Sequence, residues 1–286
     1  MKHKLLKILS FLLIIAIIIA SCLFYAIYIS PDKLTIRYDA FSSKKIPTSL
    51  DDVNIGFFSD VYYMSFMDRD RFDRMLDQIK STDIDILIFG GDLFANPTDP
   101  NITAEVISEM TQKLSELDAP LGKFYVLGEI DNSTPDTRTL ISNILYNAGF
   151  EDMTNHSFKI HNGKLESITL IGLDNCINGS VDVQSAFNGT STDSYTILVS
   201  HTPDNINVVG DGSIDVMLAG HSFGGQIYLP ILGTMNKIEG ATNYYHGTYT
   251  LNNKTLIVSN GLGTKEMDMR LFCPPQFNII RLNHRN

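Results

Sequence analysis

Five short apolar runs in this sequence each deliver an acid or an imidazole at their carboxyl end. Phe57-Phe58 leads into Ser59-Asp60, Ile88-Phe89 into Gly90-Gly91-Asp92, and Val126-Leu127 into Gly128-Glu129-Ile130-Asp131. Leu198-Val199 leads into Ser200-His201, and Leu218-Ala219 into Gly220-His221. Carboxylate oxygens and neutral imidazoles are the donors that hold Zn, Mn or Fe, and a cation held by them can activate water for hydrolysis. Taken singly, an Asp after a strand caps a turn or helix, and a lone His bonds to its surroundings. Five in succession describe one edge of a sheet, the carboxyl edge where open α/β sheets bind ligands. Cysteine offers no rival metal site: Cys22, Cys176 and Cys273 are too few for a thiolate zinc module. Cys176 and Cys273 are left as either a disulfide pair or two free thiols.

A different chemistry shares one of these segments. Gly220-His221-Ser222-Phe223-Gly224 satisfies the G-x-S-x-G spacing of a nucleophile elbow, with His246 and His284 downstream as nominal bases. An elbow requires a helix directly after the Ser, to support the turn and the oxyanion hole. Here Gln226 to Leu229 reads as a strand stopped by Pro230, so a serine hydrolase using Ser222 is the remote alternative.

The elements that must position the five strand ends alternate in type. The strand Val53 to Phe58 is followed by a helix from about Asp68 to Lys80, with Phe72, Leu76 and Ile79 on one face. The strand Ile84 to Phe89 precedes a helix over Thr103 to Leu117, and the strand Lys123 to Leu127 a helix near Thr137 to Tyr146. After Phe158 the pattern becomes strands between loops: Ser167 to Gly172, Tyr195 to Val199, Ile214 to Leu218, Gln226 to Leu229, Thr255 to Val258 and Phe277 to Leu282. That imbalance predicts α/β architecture with two stacked sheets and helices outside.

The chain has 286 residues, 44% hydrophobic and 19% charged, the profile of a globular protein. Its net charge of −10 leaves no basic surface for phosphate backbones, which excludes nucleic acid as a partner. Ile8 to Ile29 run for 22 positions without a charge, after Lys2, Lys4 and Lys7. As a helix this stretch spans about 33 Å, enough for a hydrocarbon core of about 30 Å. The expected organisation is a membrane anchor over 1–29, a linker and first strand over 30–51, and a domain over 52–286. The cationic flank stays cytoplasmic and places the domain on the extracytoplasmic side of the cell membrane. Ile19-Ala20-Ser21-Cys22 also resembles a lipobox, and a lipoprotein anchored at Cys22 is the alternative. With the three N-terminal lysines set aside, 19 cationic residues face 32 anionic ones, a net of −13 that repels anionic substrates unless a cation sits at the site.

In their order and spacing the five strand ends resemble the blocks of the calcineurin-like metallophosphoesterase superfamily: D-x-H, G-D-x, G-N-H-[DE], a lone His and G-H-x-H. This chain reads Asp60-Val61-Tyr62, Gly91-Asp92-Leu93, Gly128-Glu129-Ile130-Asp131, His201 and Gly220-His221-Ser222-Phe223. The segments Gly224-Gly225-Gln226 through Leu229-Pro230, Asn260-Gly261-Leu262-Gly263 and Cys273-Pro274-Pro275 look like the membrane-associated bacterial branch that includes UDP-2,3-diacylglucosamine pyrophosphatases. The resemblance implies a four-layer αββα sandwich of two mixed sheets and hydrolysis of a phosphoester or pyrophosphate, in an envelope lipid or a nucleotide-linked substrate.

It also implies a two-metal site, and here the chain departs by site. The ligands of one metal fall on Asp60, Tyr62, Asp92 and Phe223, so both of its imidazoles are missing. Those of the other fall on Asp92, Glu129, His201 and His221, with Glu in place of Asn. The expectation is one divalent ion (Zn, Mn or Fe) held by Asp92, Glu129, His201 and His221, with Asp60 as an outer or fifth ligand that positions water. The catalytic set is then Asp60, Asp92 and His201. Tyr62, Asp131 and His246 are the candidate substrate contacts, and the leaving-group His of the family is Ile130 here. A pseudoenzyme that keeps the fold for binding or regulation is the competing outcome.

Overall fold

The computed structural model describes residues 2–210, 213–234 and 237–285. Helix α1 (Lys2–Tyr28) carries the apolar N-terminal stretch, with its side chains exposed from Leu5 through Phe24. A 3-10 turn (Ser30–Asp32) follows, and then strand β1 (Thr35–Ser43).

Alternation governs the first half, as β2 (Asn54–Phe58), α2 (Arg69–Lys80), β3 (Ile86–Phe89), α3 (Ala104–Ser115), β4 (Lys123–Tyr125), α4 (Pro135–Asn147) and β5 (Phe150–Asp152). Each helix starts where a side chain can take an orphan N–H. Asp68 accepts from Arg71 N, Thr103 from Val106 N, and Thr134 closes a reciprocal box with Thr137. The second half contributes β6 (Ser157–His161), β7 (Ser167–Leu173), the four-residue α5 (Val183–Ala186), β8 (Thr196–Ser200) and β9 (Val216–Ala219). It ends with a small hairpin of β10 (Tyr228–Leu229) and β11 (Gly233–Thr234), then β12 (Gly247–Leu251), β13 (Lys254–Val258) and β14 (Gln276–His284).

Two mixed six-stranded sheets result. The first has the order β1-β14-β2-β3-β4-β5, with only β14 and β2 antiparallel. The second runs β12-β13-β9-β8-β7-β6, parallel from β13 to β7 with antiparallel strands at both edges. Period-2 alternation sets the layers. Phe57, Ile88, Val199 and Leu218 point between the sheets, Phe58 and Phe89 turn to α2, α3 and α4, and Leu198 and Met217 turn to the outer face of the second sheet. The expected αββα sandwich is present, with a thin fourth layer of α5, a 3-10 turn (Pro203–Val208) and loops.

β1, the first strand expected within residues 30–51, pairs with β14 along all nine of its residues, and Ser30 and Pro31 before it are buried. Cys176 and Cys273 are free thiols, the first exposed and the second buried.

Candidate metal centre

Strand β2 leads into Asp60, β3 into Asp92, β4 into the loop holding Glu129, β8 into His201 and β9 into His221. The parallel pairing β2-β3-β4 and β8-β9 brings all five to one edge of the sandwich. Three of them sit in left-handed backbone, with φ of 52° at Asp60, 62° at Asp92 and 68° at His221. Such conformations cost about 1–3 kcal/mol each and persist where surrounding contacts enforce them. The loops also approach too closely for side chains at two glycines. A Cβ on Gly128 would lie 2.0 Å from Asp92 Oδ1, and one on Gly91, at φ 97°, 2.4 Å from Gly128 N.

Asp92, Glu129, His201 and His221 each turn one ligand atom to a common point, all within 4.8 Å of one another. His201 Nε2 lies 2.7 Å from Glu129 Oε2, 3.1 Å from His221 Nδ1 and 3.4 Å from Asp92 Oδ2, and His221 Nδ1 lies 2.9 Å from Glu129 Oε2. Ligands about 2.0–2.2 Å from one ion stand about 3–3.5 Å apart, close to this spacing. Both rings are oriented by their other nitrogen, as metal-binding imidazoles are. His201 Nδ1 sits 2.7 Å from the Gly90 carbonyl and His221 Nε2 2.6 Å from the Glu239 carbonyl. Asp60 anchors Oδ2 on Ser59 Oγ and the His221 N–H. Its Oδ1 is buried, has no hydrogen-bond partner among the described residues, and lies 3.9 Å from His201 Nε2. An orphaned carboxylate oxygen beside four converging donors fits the binding of a divalent ion.

The electrostatics agree. Burial and the Glu129 charge hold the Asp92 carboxyl well above its ordinary range, opposed by His201. Burial would depress His201, yet the charges of Asp92 and Glu129 outweigh it and hold the imidazole well above its usual value. Burial likewise opposes ionisation of Glu129, but hydrogen bonds from His201 and His221 pull its carboxyl far down. Negative charge concentrated in a buried pocket retains protons that a cation would displace.

The neighbouring position is chemically opposite. Tyr62 and Phe223, standing where the resemblance puts two imidazoles, pack edge to face with ring centroids 4.9 Å apart, 4% and 3% exposed. Tyr62 OH donates to Asp92 Oδ2 at 3.4 Å, and burial followed by the charges of Asp92 and Glu129 drives the phenol far above its ordinary range. The residue expected to touch substrate is a neutral wall of the cluster.

Asp131, another candidate substrate contact, is fully buried, and its carboxylate accepts the N–H groups of Asp92, Leu93 and Gly128, tying the β3 and β4 loops together. His246 stacks on Tyr228 at 4.2 Å and lies outside the four-ligand cluster. At Ser222 the chain forms a three-residue 3-10 turn, Phe223–Gly225, and the Ser222 hydroxyl accepts from Gly224 N. The helix that an elbow requires is missing there.

Two basic residues carry roles that motif matching did not reveal. Lys265 places Nζ 4.0 Å from Glu129 Oε1 at the rim of the cluster. Arg270 is fully buried, and its guanidinium donates to carbonyls of Phe223, Asn260, Gly261, Gly263 and Cys273, pinning the turns that carry Phe223 and Asn260. Burial pushes it down to about 10, against the pull of Cys273, Asp60 and Asp268, so it is a cation at neutral pH. Only a long-range contact marks either residue, and no local spacing encodes one.

Comparison with known proteins follows the same lines. Residues 53–232 match the family described as calcineurin-like phosphoesterase. An uncharacterized metallophosphoesterase of Bacillus subtilis is 25% identical over 262 residues, covering 92% of this chain and 90% of that protein. A UDP-2,3-diacylglucosamine pyrophosphatase of Chlamydia muridarum is 26% identical, covering 71% of this chain and 75% of its own length. A transmembrane protein with a metallophosphoesterase domain from Danio rerio is 24% identical over 80% of this chain, which spans 52% of it.

Proposed function

The chain belongs to the calcineurin-like phosphoesterase family, and on that premise we propose that it is a membrane-anchored, single-ion phosphoesterase or pyrophosphatase of an envelope lipid or nucleotide-linked phosphate. The observation that carries this reading is the convergence of Asp92, Glu129, His201 and His221 on one point, beside a position closed by Tyr62 and Phe223.

A divalent ion bound there supplies polarisation of a phosphoryl oxygen and acidification of a water. Around it the chain's own groups divide the work. His201 and His221 keep their outer nitrogens on backbone carbonyls, which aims the inner ones. Asp60 offers its unpartnered Oδ1 as the acceptor that orients the attacking water. Lys265 presents a cation to the substrate phosphate, in a domain whose negative charge would otherwise repel it. Ile130, whose N–H donates to Asp92 Oδ1, carries no proton for a leaving group. A leaving group that is itself a phosphate departs as a stable anion without such help, whereas an alkoxide does not. That favours pyrophosphate linkages, the chemistry named for the Chlamydia relative.

The anchor reading is supported by the length of α1, 27 residues from Lys2 to Tyr28, and by its apolar character. On that reading the domain is extracytoplasmic.

The test is metal analysis of the purified full chain, with hydrolysis of a pyrophosphate-linked substrate and of an aryl phosphodiester under added Mn or Zn. One equivalent per chain is expected, lost together with turnover in His201→Ala. Two equivalents would overturn the single-ion site. An ion bound without turnover on either substrate, under every metal, would leave the binding or regulatory pseudoenzyme as the reading.

A further inference from the structure

The C-terminal end of α1 is fastened to the domain without slack. Ala26 is buried and its carbonyl accepts the Arg270 N–H at 2.9 Å. Six residues separate Tyr28 from the first residue of β1, and of these Ser30, Pro31 and Leu34 are buried. Arg71 clamps the joint, bonding Asp32 at 2.5 Å and Asp268 at 2.7 Å. A helix joined in this way fixes which face of the domain meets the surface from which it emerges.

That face carries exposed apolar side chains. Leu271, next to Arg270, exchanges backbone hydrogen bonds with Gln226 and Tyr228 at the base of the β10-β11 hairpin. The hairpin tip bears Ile231 and Leu232, 97% and 78% exposed, and Phe272 beside the joint is 56% exposed. Between hairpin and joint lies a cavity of about 130 Å³ lined by Phe223, Ile227, Ile238, Lys265 and Met267, which begins at the rim of the metal cluster. Tyr25 and Tyr28, both exposed at the end of α1, are of the type that settles at headgroup level.

We infer that the β10-β11 tip and Phe272 insert into the bilayer that α1 spans, so that the cavity beside the metal cluster opens onto the headgroup layer of the same leaflet. The occupant of this apolar surface is lipid, because the anchor ends within it and the joint leaves the domain no freedom to lift away. Moving side chains as exposed as Ile231 and Leu232 out of water and into hydrocarbon is favourable. This rests on the anchor reading of α1 and not on hydrolytic activity.

The sequence contains no Trp, so a single substitution supplies a clean probe. Leu232→Trp, Phe272→Trp and Leu165→Trp would be made in the full chain and reconstituted into phosphatidylcholine vesicles with brominated acyl chains. Leu165 is 95% exposed but precedes the N-terminal end of β7, at the edge opposite the cluster. Emission in Leu232→Trp and Phe272→Trp should shift to the blue and lose at least about half its intensity, with Leu165→Trp unquenched. Equal quenching in the three variants, or none, overturns the inference while leaving the hydrolase reading intact. A chain that fails to float with vesicles overturns the anchor and the inference together.

Discussion

The ligand cluster and the aromatic pair beside it occupy adjacent positions on the same loops and have opposite characters. Asp92, Glu129, His201 and His221 converge with unsatisfied electrostatics, whereas Tyr62 and Phe223 meet as a closed hydrophobic contact. Asp92 belongs to both, receiving Tyr62 OH on the oxygen that also faces His201. Two imidazoles exchanged for two aromatic rings leave no cavity that would penalise the loss, since an edge-to-face pair contributes about 0.5–1.5 kcal/mol beyond its burial. On the single-ion proposal, one position closes in this way without loosening the other.

The largest effect that would break this contrast is His201→Ala. Loss of mere supporting partners costs metal sites 10–100-fold, so removing the ligand should lower turnover by at least about 10²-fold and abolish metal binding. Tyr62→Ala should spare metal binding, and calorimetric titration reads both. An equal loss of affinity in the two variants would erase the distinction between the positions.

Next is the attempt to reverse it. Tyr62→His combined with Phe223→His should raise the metal content from one equivalent to two at a stability cost of about 1–2 kcal/mol, as read by elemental analysis and thermal unfolding. A content unchanged at one would mean that the backbone, and not only the side chains, has closed the second position.

Gly128→Ala tests how closely the loops must approach. With a Cβ due 2.0 Å from Asp92 Oδ1, it should cost about 3 kcal/mol in urea unfolding and weaken metal binding, whereas Gly163→Ala should leave metal binding unchanged because that position has no neighbour within 4 Å.

The pH dependence has a defined sign. In chelated protein the folded His201 is raised, so its contribution to stability is complete below the unfolded value of about 6.5 and is lost as pH climbs through the folded value. Metal loading needs that proton gone. The melting-temperature gap between loaded and chelated protein should widen from pH 6 to pH 8, and a constant gap would remove His201 from the ligand set.

The smallest effect is Tyr62→Phe, about 1 kcal/mol for one neutral hydrogen bond at 3.4 Å. Its metal stoichiometry should be unchanged.

Much of this was legible in the chain alone, because short-range rules govern it. Period-2 and period-3.6 apolar patterns place β2, β3, α2 and α3 within a few residues, and the expected helix starts at Asp68 and Thr103 are the N-caps. The order of strand-end acids and imidazoles predicts the fold and the convergence of Asp92, Glu129, His201 and His221, since parallel strands bring their ends to one edge. The edge strand β5, with three residues, is too short for alternation to register. Tertiary structure alone decides three matters. Asp131 braces backbone because the β3 and β4 loops bring three N–H groups to its carboxylate. Tyr62 is a wall because Phe223, far away in sequence, arrives against it. Lys265 and Arg270 acquire their places because residues distant along the chain meet only when both sheets have closed, a contact that no local spacing can encode.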